Sequence, residues 1–230
     1  MTLPAREAKT DDNDNMRYHT YIFDLDGTLL NTLDDLTAST NYAMRAFGLP
    51  IHRREEVRAF VGNGVRKLIE RAVPGGTAHP QFEQILSTFD EHYLAHGFDT
   101  TAPYPGIIDM LTRLQQAGKR VAVVSNKLDP ATKKLCAHYF GALVGVAIGE
   151  QEAKGVRKKP APDTVLKALE ALQADKDTAV YIGDREVDIL TARNRQMPRI
   201  RVDWGFKDIP FLEANGAQTI VHAPHEILEI

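Results

Sequence analysis

From Pro103 to Val221 short continuous apolar runs alternate with amphipathic stripes, and this rhythm constrains the fold more than any other feature of the sequence. Ile107, Ile108, Leu111 and Leu114 mark a helix closed by Gly118, residues 121–124 form a short apolar strand, and residues 129–140 are helical. A strand follows at 144–148, and a helix carries Val165, Leu166, Leu169 and Leu172. Then come a strand at 179–182, a helix at 185–196, and strands at 200–202 and 219–221. Such alternation predicts right-handed β-α-β units and a parallel sheet covered by helices on both faces.

The first strand lies far upstream. Tyr21, Ile22 and Phe23 are aromatic or β-branched, and the run loses its apolar character abruptly at Asp24. Side chains alternate along a strand, so Asp24 and Asp26 share a side at its carboxyl end while Leu25 turns the other way. Two carboxylates this close repel unless a cation or a shared proton intervenes. Gly27 can then take the backbone angles of a sharp turn, and Thr28 offers a hydroxyl and an N–H. From Thr32 the period becomes helical, with Leu33, Leu36, Thr40, Ala43, Met44 and Phe47 on one stripe before Gly48 and Pro50. A second helix is expected at about 53–60, a third through Val65, Leu68, Ile69 and Ala72, and a fourth through Phe82, Ile85, Leu86, Phe89 and Tyr93 to about Gly97. The expected organisation is a polar extension at 1–17, an α/β core at 18–31 and 99–230, and a helical insert at 32–98.

Bulk properties narrow the function. The 230 residues carry a formal net charge of -3 with both signs interspersed, which excludes a nucleic-acid surface and leaves a small anionic ligand in need of local cations. Cys136 is the only cysteine, so an intrachain disulfide is excluded and a reducing, cytoplasmic setting is expected. The eight histidines show no zinc spacing. No stretch approaches the roughly 20 apolar residues of a membrane span, and residues 1–19 have no signal-peptide core. Met16 stands close enough to the first strand to be an alternative start.

In parallel sheets ligands bind beyond the carboxyl ends of the strands. The strand at 121–124 ends in Ser125-Asn126-Lys127, the next is followed by Lys158-Lys159-Pro160, and the strand at 179–182 ends in Gly183-Asp184 with Asp188 four residues on. Together with Asp24-Leu25-Asp26-Gly27-Thr28 these are, in order, four motifs that resemble those of the haloacid dehalogenase (HAD) superfamily of phosphohydrolases. The resemblance covers residues 18–230. The insert resembles the type 1 cap of that superfamily. The strings 26–36, Val-Gly-Asn-Gly-Val-Arg at 61–66 and Val-Asp-Trp-Gly-Phe at 202–206 resemble its phosphoglycolate phosphatase branch, though related branches share them.

That resemblance implies a Rossmann-like core and a Mg²⁺-dependent hydrolysis of a small phosphorylated metabolite by a monomer or small homo-oligomer. Asp24 is the expected nucleophile, Asp26 the general acid and Lys159 the neutralising cation. Thr28, Ser125, Asn126 and Lys159 are expected to hold the phosphoryl oxygens. Mg²⁺ is expected on Asp24, the backbone carbonyl of Asp26 and Asp184, with Asp188 supporting from behind. In the insert, Gly62, Asn63 and Gly64 open a helix where backbone N–H groups suit an anion, and Arg66 is a candidate partner for a substrate carboxylate. Two residues depart from the branch: Arg185 replaces a small serine and either points to solvent or alters the site, and Gln196 replaces a helix-ending glycine. A sugar phosphomutase, a pyrophosphatase and a non-catalytic binding protein on the same fold are the alternatives.

Overall fold

The computed structural model describes residues 16–214, 216 and 219–230. Most of the expected N-terminal extension therefore lies outside the described residues. Met16 packs against the core, and its carbonyl accepts a hydrogen bond from Lys119 Nζ at 3.0 Å.

Six strands form one parallel sheet, in chain order β1 (Thr20–Phe23), β4 (Arg120–Leu128), β5 (Val146–Glu150), β6 (Ala179–Gly183), β7 (Arg199–Val202) and β8 (Ile220–Val221). Their spatial order is β5-β4-β1-β6-β7-β8, which puts β1 at the centre between β4 and β6. Alternation along each strand sorts side chains onto two cores. Tyr21, Phe23, Val121, Val123, Val180 and Ile182 pack with α5 (Ile107–Gln116) and α6 (Asp129–Tyr139) on one face. Ile22, Ala122, Val124 and Tyr181 pack with α7 (Asp163–Ala171) and α8 (Glu186–Asn194) on the other.

Between β1 and α5 the chain runs through β2 (Leu30–Asn31), helices α1 (Leu33–Ala46), α2 (Arg54–Phe60), α3 (Val65–Ala72) and α4 (Phe82–His96), and β3 (Ala102–Pro103). The four helices enclose a separate apolar cluster that includes Leu36, Met44, Val57, Ile69, Ile85 and Phe89. β2 and β3 pair antiparallel, so the segments leading into and out of the helices form one short ribbon. Buried Asp35 fastens that ribbon, accepting bonds from the N–H and hydroxyl of both Thr100 and Thr101 at 2.5–3.2 Å. Burial raises its carboxyl, but these bonds outweigh burial and hold it below the usual range.

Three local differences from the sequence reading have clear causes. β4 continues through Ser125, Asn126 and Lys127 because these polar residues are buried at the rim instead of turning to solvent. The strand expected at 144–148 begins at Val146 and ends at Glu150. Its end was hidden by Gly149, where a Cβ would come within 2.4 Å of Asp129 Cα, so the apolar pattern stops early for a steric reason. Gln196 adopts φ +54, the left-handed conformation of the glycine it replaces. A short helix α9 (Ile209–Ala214), not expected, precedes β8.

Candidate active site

Asp24 follows β1 directly and lies at the centre of the sheet's carboxyl rim, 5% exposed. Lys159 reaches it from the loop after β5, with Nζ 2.8 Å from Asp24 Oδ1, 2.8 Å from Asp188 Oδ1 and 3.1 Å from the Tyr181 hydroxyl. The lysine is itself buried, and its ammonium is held well above its usual pKa by Asp188 and Asp24 despite burial. Asp24, Asp184 and Asp188 each offer an oxygen within 4.8 Å of the others.

Asp184 directly follows β6 and is wedged against positions where only glycine fits. A Cβ on Gly27 would stand 2.5 Å from Asp184 Oδ2, and one on Gly205 would stand 2.5 Å from its Cβ. Gly27 also has φ +87, so the turn after the two aspartates and the close approach demand the same residue. Asp184 accepts from the Thr28 hydroxyl at 3.3 Å and from Phe206 N–H at 2.7 Å. Asp188, in the first turn of α8, accepts from Lys159 and Tyr181 on one oxygen and from Arg185 N–H at 3.1 Å on the other. Its pKa is lowered, since Lys159 and Arg201 outweigh burial.

Asp26 faces away from this trio. Its carboxylate accepts from Thr32 Oγ1 at 2.7 Å and from Lys127 Nζ at 3.2 Å. Lys127 is buried and lies 4.6 Å from the centre of the Tyr93 ring. Burial would lower its pKa, but Asp26 raises it, so it stays charged.

The charges nearly balance. Asp24, Asp26, Asp184 and Asp188 stand against Lys127, Lys159, Arg185 and Arg201, four of each sign in or bordering the site. A phosphoryl dianion added to that set leaves two negative charges in excess, which one divalent cation removes. The carboxylates fit such a cation. Asp24 is pushed up to about 7, chiefly by burial, with Lys159 opposing and Asp188 and Asp184 adding to the shift. Without further positive charge the cluster therefore favours a proton on Asp24, and its all-oxygen donors suit a hard ion such as Mg²⁺.

The cavity above the rim is about 30 Å³ and brings together most of the expected residues: Asp24, Asp26, Ser125, Asn126, Lys159, Gly62 and Gly64. Leu36, Val61, Val65 and Leu68 supply its apolar side. Four of the expected side chains have other partners in the structure. Arg66 is turned away, its side chain 55% exposed and paired with Glu83 at 2.9 and 2.5 Å. Val65 and Leu68, three apart on α3, take the cavity-facing side, and Arg66 falls off that stripe. Asn63 also turns outward, accepting from Arg71 at 2.8 Å. The amide of Asn126 is committed to backbone, donating to Gly62 O at 3.2 Å and Lys159 O at 3.1 Å and accepting from Lys159 N–H at 2.8 Å. Thr28 spends its hydroxyl on Asp184.

Two residues in the cavity wall went without a role in the sequence reading. Lys127 closes the polar triplet of β4, two positions beyond Ser125, a period-2 signal that could have placed it on the rim. Arg185, one of whose two expected fates was solvent, is buried.

A buried carboxylate paired with a buried lysine, within an acidic trio on the carboxyl rim of a parallel sheet, gives the chain the frame of an α/β enzyme with a polar rim site. Residues 21–202 match the haloacid dehalogenase-like hydrolase family, and the chain belongs to it. It is similar to the phosphoglycolate phosphatase of Caulobacter vibrioides, 34% identical over 89% of this chain and 86% of that protein. An N-acetylmuramic acid 6-phosphate phosphatase of Pseudomonas aeruginosa is 30% identical over 94% of this chain and 95% of its own length. A Lactobacillus delbrueckii subsp. bulgaricus protein provisionally assigned as a phosphoglycolate phosphatase has a crystal structure that superposes with a TM-score of 0.88, at 36% identity, covering 93% of this chain and 98% of that one. The chain is thus a HAD-like phosphatase. Among the described residues no helix is long and apolar enough to cross a membrane.

Proposed function

We propose that this enzyme hydrolyses a small phosphate monoester, 2-phosphoglycolate first among candidates, using Mg²⁺ and an aspartyl-phosphate formed on Asp24. The observation that carries the proposal is Asp24 itself: buried at the central strand end, 2.8 Å from Lys159 and within the acidic trio. In the first step an Asp24 oxygen attacks phosphorus and the bond to the ester oxygen breaks, with Asp26 giving that oxygen a proton. In the second, water attacks the aspartyl-phosphate and Asp26 takes its proton. Mg²⁺, held by Asp24, Asp184 and the Asp26 carbonyl, would supply charge neutralisation on the phosphoryl oxygens. Asp188 fits a supporting place, because its carboxylate is paired with the Lys159 ammonium at 2.8 Å and takes the Arg185 N–H on its other oxygen. Lys159 neutralises Asp24 and phosphate, and Ser125 offers its hydroxyl to a phosphoryl oxygen.

The four helices act in this proposal as a cap over the leaving group. With Arg66 turned away, a cation for a substrate carboxylate has to come from the cavity wall. There Lys159 holds two carboxylates and Arg185 backbone carbonyls, whereas Lys127 of β4 holds one carboxylate, Asp26, and is the candidate. The test is Mg²⁺-dependent phosphate release over a panel of 2-phosphoglycolate, sugar phosphates including N-acetylmuramic acid 6-phosphate, nucleoside monophosphates and pyrophosphate. Highest kcat/KM on 2-phosphoglycolate, lost selectively in Lys127→Met, supports the proposal. A clear preference for a sugar phosphate or pyrophosphate refutes the substrate, and activity retained in Asp24→Asn refutes the mechanism.

A further inference from the structure

Two arginines join the four helices to the sheet, and they do so reciprocally. Arg58 of α2 donates from Nε to Phe206 O at 2.6 Å and from Nη2 to Gly205 O at 3.2 Å, on the loop after β7. Arg185, at the start of α8, donates in the opposite direction, from Nη1 to Val61 O and from Nη2 to Arg58 O at 3.1 Å. Each guanidinium thus grips backbone carbonyls of the other unit. Arg185 is 2% exposed, and its guanidinium lies 5.2 Å from the centre of the Phe206 ring. A Cβ on Gly62 would meet Arg185 Nη1 at 2.7 Å and Cδ at 2.8 Å, so the approach of the two units is as tight as a glycine allows.

The grip is wired to the acidic trio. Phe206 sends its ring into the apolar cluster of the helices, its carbonyl to Arg58 and its N–H to Asp184 Oδ2 at 2.7 Å. Its neighbour Gly205 lies against both Asp184 and the Gly27 carbonyl. Anything that moves the helices away therefore pulls on the residue that orients Asp184. The cavity between the helices and the rim is narrow, about 30 Å³, so how closely the helices sit on the rim decides the space over the carboxylates.

We infer that Arg58 and Arg185 form a two-way clasp that closes the helices over the rim and, through Phe206, couples closure to the orientation of Asp184. They are positioning residues: the donors described above end on backbone, and no contact with substrate is needed. Selectivity among phosphate esters is left to the cavity wall, and the clasp sets how much of the enzyme is closed and cation-ready.

The variant Arg58→Leu tests this, because Arg58 is only partly buried and its loss leaves the core of α2, Val57, in place. Three quantities are read on the full chain. Small-angle X-ray scattering should give a larger radius of gyration than wild type. Mg²⁺ affinity, followed by the emission of the single tryptophan, Trp204, whose Nε1 donates to Thr28 O at 3.0 Å beside the clasp, should weaken. Loss of two charge-assisted hydrogen bonds should lower kcat/KM about tenfold, and by the same factor for p-nitrophenyl phosphate and 2-phosphoglycolate. Arg58→Lys, which keeps the charge and one reach to a carbonyl, should recover part of each loss and serves in its place should Arg58→Leu fail to fold. Wild-type scattering together with an unchanged Mg²⁺ titration would overturn the clasp. Unequal losses on the two esters would also overturn it, by making Arg58 a substrate contact. The scattering and Mg²⁺ arms involve no substrate, so they decide the clasp even if the phosphatase panel refutes 2-phosphoglycolate.

Discussion

Asp24 links pH, cation and stability in a way that can be measured without any substrate. Its carboxyl is pushed from 3.8 up to about 7, chiefly by burial, against the pull of Lys159 and with the help of Asp188 and Asp184. A carboxyl whose pKa rises on folding binds its proton more tightly in the native state. The stability that the Asp24 proton contributes is therefore fullest below about pH 4 and is lost as pH climbs towards about 7. At about 1.36 kcal/mol per unit, a rise of about three units corresponds to ~4 kcal/mol, a large share of the roughly 5–15 kcal/mol that holds a domain together. Asp184 is raised too and acts in the same direction. Asp188 is lowered, so its contribution disappears only as pH falls below the ordinary carboxyl value, outside this window. Urea unfolding of wild type and Asp24→Asn, in EDTA from about pH 4.5 to about pH 7.5, reads the contribution of Asp24 with its two neighbouring carboxylates, because distant titrating groups cancel in the difference. Wild type should lose about 3 kcal/mol relative to the variant across that range, and saturating Mg²⁺ should remove most of the loss by binding the ionised carboxylate. Parallel pH profiles for the two proteins, or a wild type that gains on the variant as pH rises, would refute the reasoning.

Asp26→Asn should slow aspartyl-phosphate formation far more with an alkyl ester than with p-nitrophenyl phosphate, whose leaving group needs little protonation; equal losses in single-turnover rates would remove Asp26 as the acid. Lys159→Met should destabilise the fold by about 3–5 kcal/mol, since Asp24 and Asp188 would remain buried without their shared ammonium, and urea unfolding near neutral pH with no loss of stability would contradict that. Arg66→Ala should leave kcat/KM on both 2-phosphoglycolate and p-nitrophenyl phosphate within about twofold and leave the urea midpoint essentially unchanged, as for an exposed ion pair; a selective loss on 2-phosphoglycolate would return Arg66 to the site.

The sequence by itself determined the sheet and the polar residues that end its strands, because both are written in short-range patterns. Apolar runs of four or five residues fix strands, and the residues just beyond each run stand on the rim by the geometry of a parallel sheet. Asp24, Ser125 and Asp184 could be named from that rule, and Lys159 from the resemblance of Lys159-Pro160 to the family motif, before any contact was known. Gly27 was legible as a turn, but not as the residue whose missing Cβ admits Asp184. The sequence could not decide where long side chains end. Arg58, Arg66 and Arg185 are chemically alike in the sequence. One grips Gly205 and Phe206, 147 and 148 residues away; another pairs with Glu83 on the surface; the third is buried on Val61. Asn126 and Lys127 are adjacent in the strand, yet one crosslinks two backbones and the other holds Asp26. A guanidinium or an amide takes whichever partners packing brings within about 3 Å, and packing at that scale depends on how the helices settle on the sheet. Only the tertiary structure carries that information, since hydrogen bonds between residues more than a hundred positions apart leave no periodic trace in the chain.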